Sequence, residues 1–365
     1  MKETLLKSLV DKTPSMLCVD GVKLLYQHHF GCGHLLAEQE KVAQRIRQEI
    51  ASTDEYPDCA PAEFIGGGLC RLNLHHPLVR SLSSERIAAM MQITQEKHLT
   101  SPENSLPAFL KSLDLLKEMA KNGQTPFGSA ALEGYLESYA REGYPMVSHS
   151  EVYRRQYCPA YRVVLSDFAV LLPLIARVEA KMRREGKALV IMDGPCGSGK
   201  TTLAGLLSQV FGAAPILPMD HFFLPPEMRT PQRLSQPGGN IHYERILSET
   251  MQPLIGGEAF DYLRFCCSDF TMEKCHIPAA PLRIVEGSYS LHPQFQAGWE
   301  KAGAITAYIE VDDAEQLSRI AARNPEMLDM FKSRWIPLEK KYRKAYDIIR
   351  WAELRLTSIS WEAGA

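Results

Sequence analysis

Apolar residues in the second half of the chain fall into short runs separated by longer amphipathic segments. The runs cover residues 188–192, 214–217, 282–285, 305–311 and 354–359. Continuous apolar runs of this length are typical of strands that are buried on both faces of a sheet. Because helical patterns lie between them, we predict a parallel α/β sheet with helices on both faces.

The first half of the chain has a different pattern. Apolar residues at helical spacing predict helices between residues 22 and 50 and over residues 84–98, 106–121 and 129–141. Residues 64–74 are first glycine-rich and then alternate, which predicts a loop leading into a short strand. We therefore predict a mostly helical domain of unknown role over residues 1–165 and an α/β domain over residues 166–365.

Composition narrows the class of protein. A chain of 365 residues with 45% apolar and 23% charged residues suits two globular domains and excludes a disordered or fibrous protein. A formal net charge of −2 gives no general attraction to nucleic acid or to an anionic membrane. The nine cysteines show no repeated spacing, and charges interrupt the N-terminal segment before a signal peptide could form. We therefore expect a cytoplasmic protein that has neither nucleic acid nor a membrane as its partner.

A phosphate-binding motif follows the apolar run at residues 188–192. Residues 194–201 read Gly-Pro-Cys-Gly-Ser-Gly-Lys-Thr and fit G-x-x-x-x-G-K-[ST], the Walker A pattern, ahead of a predicted helix. Glycines let backbone N–H groups curve around an anion, Lys200 reaches the β- and γ-phosphates, and the Thr201 hydroxyl is a ligand for Mg²⁺. The chain has no Asn-Lys-x-Asp guanine motif, so ATP is the expected nucleotide. The predicted nucleotide-binding residues are Gly194, Pro195, Cys196, Gly197, Ser198, Gly199, Lys200, Thr201 and Thr202.

Two carboxylates stand at the ends of predicted strands, where ligands bind in open α/β sheets. Asp220 could accept the proton of an acceptor hydroxyl, although an aspartate there could equally cap the next segment. Glu286 could hold Mg²⁺ or take part in base chemistry, and its ordinary alternative is an ion pair at a strand end.

Three further residues carry expectations. Arg319 and Arg323 lie four positions apart, so on a helix they share a face and could bind phosphoryl oxygens, or else remain solvated surface charges. Cys196 lies within the electropositive loop beside Lys200, and we therefore expect a lowered thiol pKa there.

Residues 186–346 resemble the uridine kinase and phosphoribulokinase-like branch of the P-loop kinases, and within it a bacterial uridine-kinase-like group. The motifs that carry the resemblance are GPCGSGKTT at 194–202, MDHFF at 219–223, VEGSYSLHP at 285–293, RIAARN at 319–324 and WIPLEKKY at 335–342. The resemblance implies that Asp220 is the base on the acceptor side, that Glu286 lies near the metal, and that Arg319 and Arg323 belong to a mobile lid.

The chain departs from that family where the acceptor is expected. Nucleoside kinases of the family carry Asn-Phe-Asp, with the acid on the ribose hydroxyls, whereas this chain has Asn240-Ile241-His242. Asp261 and Tyr262 lie about where the family has an acceptor-binding hairpin. Asn240, His242, Asp261 and Tyr262 are therefore the candidate acceptor-binding residues.

Three other clusters of residues give weaker indications of a binding site. Cys266, Cys267, Cys275 and His276 lack the spacing of a zinc site, and helical spacing does not bring His28, His29 and His34 onto one face. The glycines among those histidines suggest a small-ligand pocket. A polar and aromatic cluster belongs to a domain interface, an acceptor pocket or an anion site: His149, Tyr153, Arg154, Tyr157, Tyr161 and Arg162.

Together these patterns predict an ATP- and Mg²⁺-dependent transferase that phosphorylates a hydroxyl of a small molecule, in the manner of a uridine kinase. The open alternatives are a kinase for a sugar phosphate or a vitamin-precursor alcohol, and a nucleotide-gated regulatory protein. The sequence specifies neither the acceptor, nor the ligand of the N-terminal domain, nor the oligomeric state.

Overall fold

The computed structural model describes residues 1–31, 38–98 and 105–357. His34 lies outside these residues. The chain divides into two compact units, one ending at Ala169 and the other beginning at Val170. The first is mostly helical with a small antiparallel sheet, and the second contains a five-stranded parallel sheet, so the predicted fold class is confirmed.

The N-terminal unit is built from amphipathic helices around a small sheet. Its last helix continues into the second unit. The helices are α1 (Glu3–Asp11), α2 (Cys18–Phe30), α3 (Gln39–Ser52), α4 (Pro77–Arg80), α5 (Ser84–His98), α6 (Leu106–Lys121), α7 (Ser129–Arg141), α8 (Glu151–Tyr157) and α9 (Asp167–Glu185).

The small sheet consists of β1 (Ala62–Gly66), β2 (Leu69–Asn73) and β3 (Tyr161–Leu165), all antiparallel. The expected loop at residues 64–66 is therefore a strand, because the three glycines form the turn of a β-hairpin instead of a longer loop. Gly66 is required there. Its φ is +77°, and a Cβ would lie 2.7 Å from Leu5 Cδ2 and 2.9 Å from the His28 ring.

The C-terminal unit alternates buried strands with helices. Its strands are β4 (Ala188–Asp193), β5 (Ile216–Pro218), β6 (Phe260–Phe265), β7 (Met272–Ile277), β8 (Leu282–Glu286), β9 (Ile305–Glu310) and β10 (Leu354–Thr357). Its helices are α10 (Lys200–Val210), α11 (Pro231–Ser235), α12 (Tyr243–Arg245), α13 (Met251–Gly256), α14 (Gln296–Lys301), α15 (Asp313–Arg323), α16 (Leu328–Met330), α17 (Ile336–Ala345) and α18 (Ile348–Trp351).

The main sheet has the strand order β10-β9-β4-β8-β5, with all neighbours parallel. Every residue of β4 and β8 is buried, which explains their continuous apolar patterns. Because the strands are parallel, their carboxyl ends meet at one edge of the sheet. The loop after the central strand β4 and the residues after β5 and β8 are thereby brought together.

Strands β6 and β7 form a separate antiparallel hairpin, as the resemblance implied for this part of the chain. Within the described residues, no group of three or more His, Cys, Asp or Glu side chains is arranged to hold a metal ion. In the same residues, no helix is both long enough and apolar enough to cross a bilayer.

Candidate nucleotide and acceptor site

Residues 194–199 form the loop between β4 and α10, and residues 200–202 belong to the first turn of that helix. Gly194 lets this turn pass close to the neighbouring strand: its φ is +153°, and a Cβ would lie 2.5 Å from the carbonyl oxygen of Ile309. The Lys200 side chain is buried, and its Nζ donates to the Pro195 carbonyl at 2.9 Å and to Ser288 Oγ at 3.4 Å. Lys200 thus links the loop to Ser288, and its ammonium group can donate one more hydrogen bond.

Two features of the loop fit a phosphate group. Ser198 is fully buried, and its Oγ has no hydrogen-bond partner among the described residues. Gly199 precedes α10 and supplies no side-chain cap, which leaves the first N–H groups of the helix for an external anion. An unpaired hydroxyl, uncapped N–H groups and a lysine therefore occur together at residues 198–200 and in the first turn of α10.

The residues predicted to hold Mg²⁺ lie together. Thr201 Oγ1 donates to the Glu286 carboxylate, with distances of 3.2 and 3.3 Å to its two oxygens. Burial raises the pKa of Glu286, Lys200 lowers it, and the nearby charge of Asp220 raises it further. A hydroxyl and two carboxylates are the hard oxygen ligands that Mg²⁺ takes when phosphate oxygens and water complete its shell. The side chains present therefore fit the ion.

Asp220 lies two residues beyond β5, in a short 3₁₀ turn, Met219–Phe222. Its side chain is exposed, and no hydrogen bond to its carboxylate is found in the described part of the chain. The alternative that Asp220 caps this segment is not observed, because the turn begins after Pro218 without a side-chain cap. The carboxylate is free to accept a hydrogen bond from a ligand.

The two arginines of α15 occupy different places. Arg319 Nε donates to Glu315 Oε1 at 2.6 Å, and its Nη1 lies 3.5 and 3.4 Å from the carbonyl oxygens of Gly197 and Ser198. Arg323 is exposed at the helix end, where its Nε donates to the side chain of Asn324 at 2.9 Å. The structure therefore brings Arg319 to the loop and leaves Arg323 away from it.

The candidate acceptor residues also separate. Tyr262 is buried, and its hydroxyl lies 2.8 Å from Nδ1 of His221, the residue after Asp220. Its neighbour Asp261 is exposed and pairs with Lys274 and His276 across the hairpin, at 2.7 Å each. Strand alternation places these two side chains on opposite faces, so only Tyr262 is directed towards the Asp220 segment.

The segment 240–242 presents one unsatisfied group. The Oδ1 atom of Asn240 is buried and has no hydrogen-bond partner among the described residues. His242 Nδ1 lies 3.1 Å from Oε2 of Glu244, which also accepts from Arg233. Asn240 therefore offers a buried acceptor oxygen that a ligand could satisfy.

Helix α17 supplies Glu339, which lies in the motif at 335–342 but had no predicted role. The Glu339 carboxylate is buried, accepts from the Cys196 backbone N–H and accepts from Ser288 Oγ at 2.7 Å. The expected lowering of the Cys196 pKa is therefore wrong. Burial and the Glu339 charge raise the pKa of this thiol, and they outweigh the opposing effects of Lys200 and Gln316. A glutamate followed by two lysines gave no sequence signal for this contact.

Asp193, the last residue of β4, fixes the loop to its surroundings. Its carboxylate is buried and accepts from the Tyr342 hydroxyl and the Leu291 N–H at 2.9 Å each, and from the Gly194 N–H at 2.6 Å. Burial raises the pKa of Asp193 to about 6, against the effect of these donors. This residue positions the loop and α17 without facing the site.

No family model and no curated protein sequence matches this chain. Over half of its length the chain is structurally similar to a possible uridine kinase from Bacillus stearothermophilus. That match has 16% identity and a TM-score of 0.38, and it covers 50% of this chain and 99% of the other. A second match is a protein from Silicibacter sp. TM1040 described as a possible fructose transport system kinase. It has 22% identity and a TM-score of 0.37, and it covers 50% of this chain and 98% of the other. The activity of this chain is therefore inferred from its own residues.

Proposed function

We propose that the C-terminal unit transfers the γ-phosphoryl group of ATP to a hydroxyl of a small molecule in a Mg²⁺-dependent reaction. The observation that carries the proposal is the contact between Thr201 and Glu286, with the charge of Asp220 close by and Lys200 held across the same loop. A protein that only bound nucleotide would need Lys200 and Thr201. It would not need Asp220, an exposed carboxylate with no hydrogen-bond partner among the described residues.

Each side chain has a role that its position allows. Lys200 and the N–H groups of the loop bind the phosphates. Thr201 and Glu286 would hold Mg²⁺, which would supply positive charge to neutralise the phosphate oxygens. Asp220 accepts the proton of the acceptor hydroxyl as the acceptor oxygen bonds to phosphorus and the bond to the leaving ADP oxygen breaks. Arg319 lies beside the loop, where it can stabilise charge on the transferred group.

For the acceptor, we propose a nucleoside such as uridine first and a sugar phosphate or a vitamin-precursor alcohol second. Tyr262 and His221 flank Asp220, and Asn240 offers a buried oxygen with no partner among the described residues. Position 242 is a histidine where nucleoside kinases of the family have an acid that binds ribose. A sugar phosphate or a vitamin-precursor alcohol therefore stays part of the proposal. A cytoplasmic location, which supplies ATP, also remains part of it.

The test is a screen of acceptors with γ-labelled ATP and Mg²⁺. Nucleosides, sugar phosphates and vitamin-precursor alcohols are offered to the wild type and to Lys200→Ala. We expect label to appear in one class of acceptor with the wild type and to be nearly lost with the variant. Slow ATP hydrolysis that no acceptor accelerates would contradict the proposal and favour a nucleotide-gated regulatory protein.

A further inference from the structure

The N-terminal unit contains a cavity of about 610 Å³, which is within the size range of small-molecule sites. Its wall comes from α2, from the end of α3 and the residues after it, from α5, and from the segment around α8 and β3. Two sequence expectations meet there: four members of the polar and aromatic cluster line it, and so does Gly31 from the glycine-containing segment. Those four are His149, Arg154, Tyr161 and Arg162.

One side of the cavity is fixed by a chain of buried hydrogen bonds. His149 Nδ1 lies 2.9 Å from Asp20, and its Nε2 lies 2.6 Å from the Tyr161 hydroxyl. Burial lowers the pKa of His149, so the neutral ring donates to Asp20 and accepts from Tyr161. Gln27 then donates to Tyr161 at 3.1 Å and accepts from the buried Arg71 at 2.7 Å. These groups satisfy one another and hold the wall rigid.

Lys23 lies on this wall with little to balance its charge. Its Nζ donates to the Val147 carbonyl at 2.9 Å, and it makes no ion pair with a carboxylate of the described residues. Burial lowers the pKa of Lys23 to about 8, and the charges of Arg71 and Arg154 add to that effect, while Asp20 opposes it. Arg71 is itself paired with Glu63 at 3.1 Å. Lys23 and Arg154 therefore face the single negative charge of Asp20, and the positive charge at this corner exceeds the negative charge.

The other charged groups of the lining do not remove that excess. Arg162 is paired with Glu49 at 2.5 Å, so those two charges cancel. Arg154 lies 3.8 Å from Glu151, and both side chains are at least half exposed, so that pair is weak. Asp54 is exposed to water. Among the described residues that line the cavity, Lys23 and Arg154 are thus the two cations without a strong partner.

We propose that this cavity binds a small organic anion, with its phosphate or carboxylate group paired to Lys23 and Arg154. An anion there balances the charge and accepts charge-assisted hydrogen bonds from both side chains. Met91 and Met146 supply apolar surface for the body of the ligand, and the Tyr56 ring stacks on His75 at 4.7 Å nearby. All the residues that line this cavity belong to the N-terminal unit, so the proposal does not depend on the one made for ATP.

The test is isothermal titration calorimetry on the full chain. Lys200→Ala is present in every sample, so that the phosphate-binding loop contributes little. The probes are inorganic phosphate, ribose 5-phosphate and succinate, with neutral ribose as a negative control. Lys23→Met and Arg154→Gln are compared with Arg155→Gln, which changes the adjacent exposed arginine that does not line the cavity.

We expect at least one anion to bind and neutral ribose not to bind. Lys23→Met and Arg154→Gln should each weaken binding about tenfold or more, and Arg155→Gln should leave it unchanged. Preference for succinate or for the phosphates identifies the head group. Two variants guard against misfolding of Lys23→Met. Arg154→Gln changes an exposed side chain, and Lys23→Arg keeps the positive charge at position 23. The result can therefore be read from these two even if Lys23→Met does not fold. Absence of binding by all three anions, or equal affinity in every variant, overturns the proposal.

Discussion

The backbone N–H of Cys196 donates to both oxygens of the Glu339 carboxylate, at 3.1 Å to Oε1 and 2.9 Å to Oε2. A carboxylate from a distant helix is thereby bound to an N–H group of the loop that is proposed to receive phosphates. The cavity next to this contact measures about 20 Å³, and its lining includes Gly194, Ser288 and Glu339. That space admits about one water molecule. A phosphate that reached the Cys196 N–H would therefore have to displace Glu339.

The first prediction concerns this carboxylate. Glu339→Gln removes a negative charge beside the loop while it keeps the side-chain shape, so MgATP should bind about threefold tighter or more. Fluorescence or calorimetric titration of MgATP measures the Kd. Glu326→Gln, which removes an exposed charge elsewhere in the same unit, should leave it unchanged. Weaker binding in Glu339→Gln would show that the carboxylate supports the nucleotide site instead of competing with it.

The Cys196 thiol provides a second test of the same contact. Because burial and Glu339 raise its pKa, Cys196 should react with iodoacetamide at pH 8 far more slowly than the exposed Cys158. Glu339→Gln should increase the rate at Cys196 and leave the rate at Cys158 unchanged. Peptide mapping by mass spectrometry follows both residues in one sample. Equal rates at the two cysteines in the wild type would contradict the environment described for the loop.

The sequence predicted those parts of the fold and site that depend on neighbouring residues. The phosphate loop, the strands of the main sheet and the strand-end position of Glu286 are all local patterns, and the structure contains them. The contact between Cys196 and Glu339 joins residues 143 positions apart. Within α17, that glutamate has the spacing of a surface charge, so only the packing of the helix places its carboxylate at the loop.

The same distinction explains the other differences. Helical spacing alone makes Arg319 and Arg323 equally good candidates for the site. Only Arg319 lies on the turn of α15 that approaches the loop. Asp261 and Tyr262 are adjacent, and the strand sends them to opposite faces. Strand β3 was not predicted, because its pairing partner β2 lies about ninety residues earlier in the chain.

The third prediction concerns the anchor between Asp193 and Tyr342. Tyr342→Phe leaves the buried Asp193 carboxylate without one of its donors, which should lower the free energy of unfolding by about 1–3 kcal/mol. Urea unfolding followed by tryptophan fluorescence reports on this unit, since all four tryptophans follow residue 298. Tyr346→Phe, one turn later, should change the free energy of unfolding by less than about 0.5 kcal/mol.

The deficit in Tyr342→Phe should also depend on pH. Burial already raises the pKa of Asp193 in the folded protein to about 6, above its ordinary value, and loss of a donor raises it further. At pH 5 the folded carboxyl is largely protonated in both proteins. Because its folded pKa lies above the unfolded value, ionisation on going to pH 8 destabilises the fold, and it does so less in the wild type, where the Tyr342 hydroxyl stabilises the carboxylate. We therefore expect a larger deficit at pH 8 than at pH 5. The opposite trend would mean that the hydroxyl does not stabilise the ionised carboxylate.

The central claim is that Asp220 accepts the acceptor's proton at a nucleotide site formed by other residues. Asp220→Asn keeps the shape of the side chain and removes the proton acceptor, and Asp329→Asn is a matched change at another exposed aspartate. The most direct measurement compares kcat for phosphoryl transfer to the acceptor identified in the screen with the Kd for MgATP in these proteins. We predict that Asp220→Asn lowers kcat by about 10² or more and changes the Kd no more than a few-fold, while Asp329→Asn changes neither. An unchanged kcat in Asp220→Asn would contradict the account.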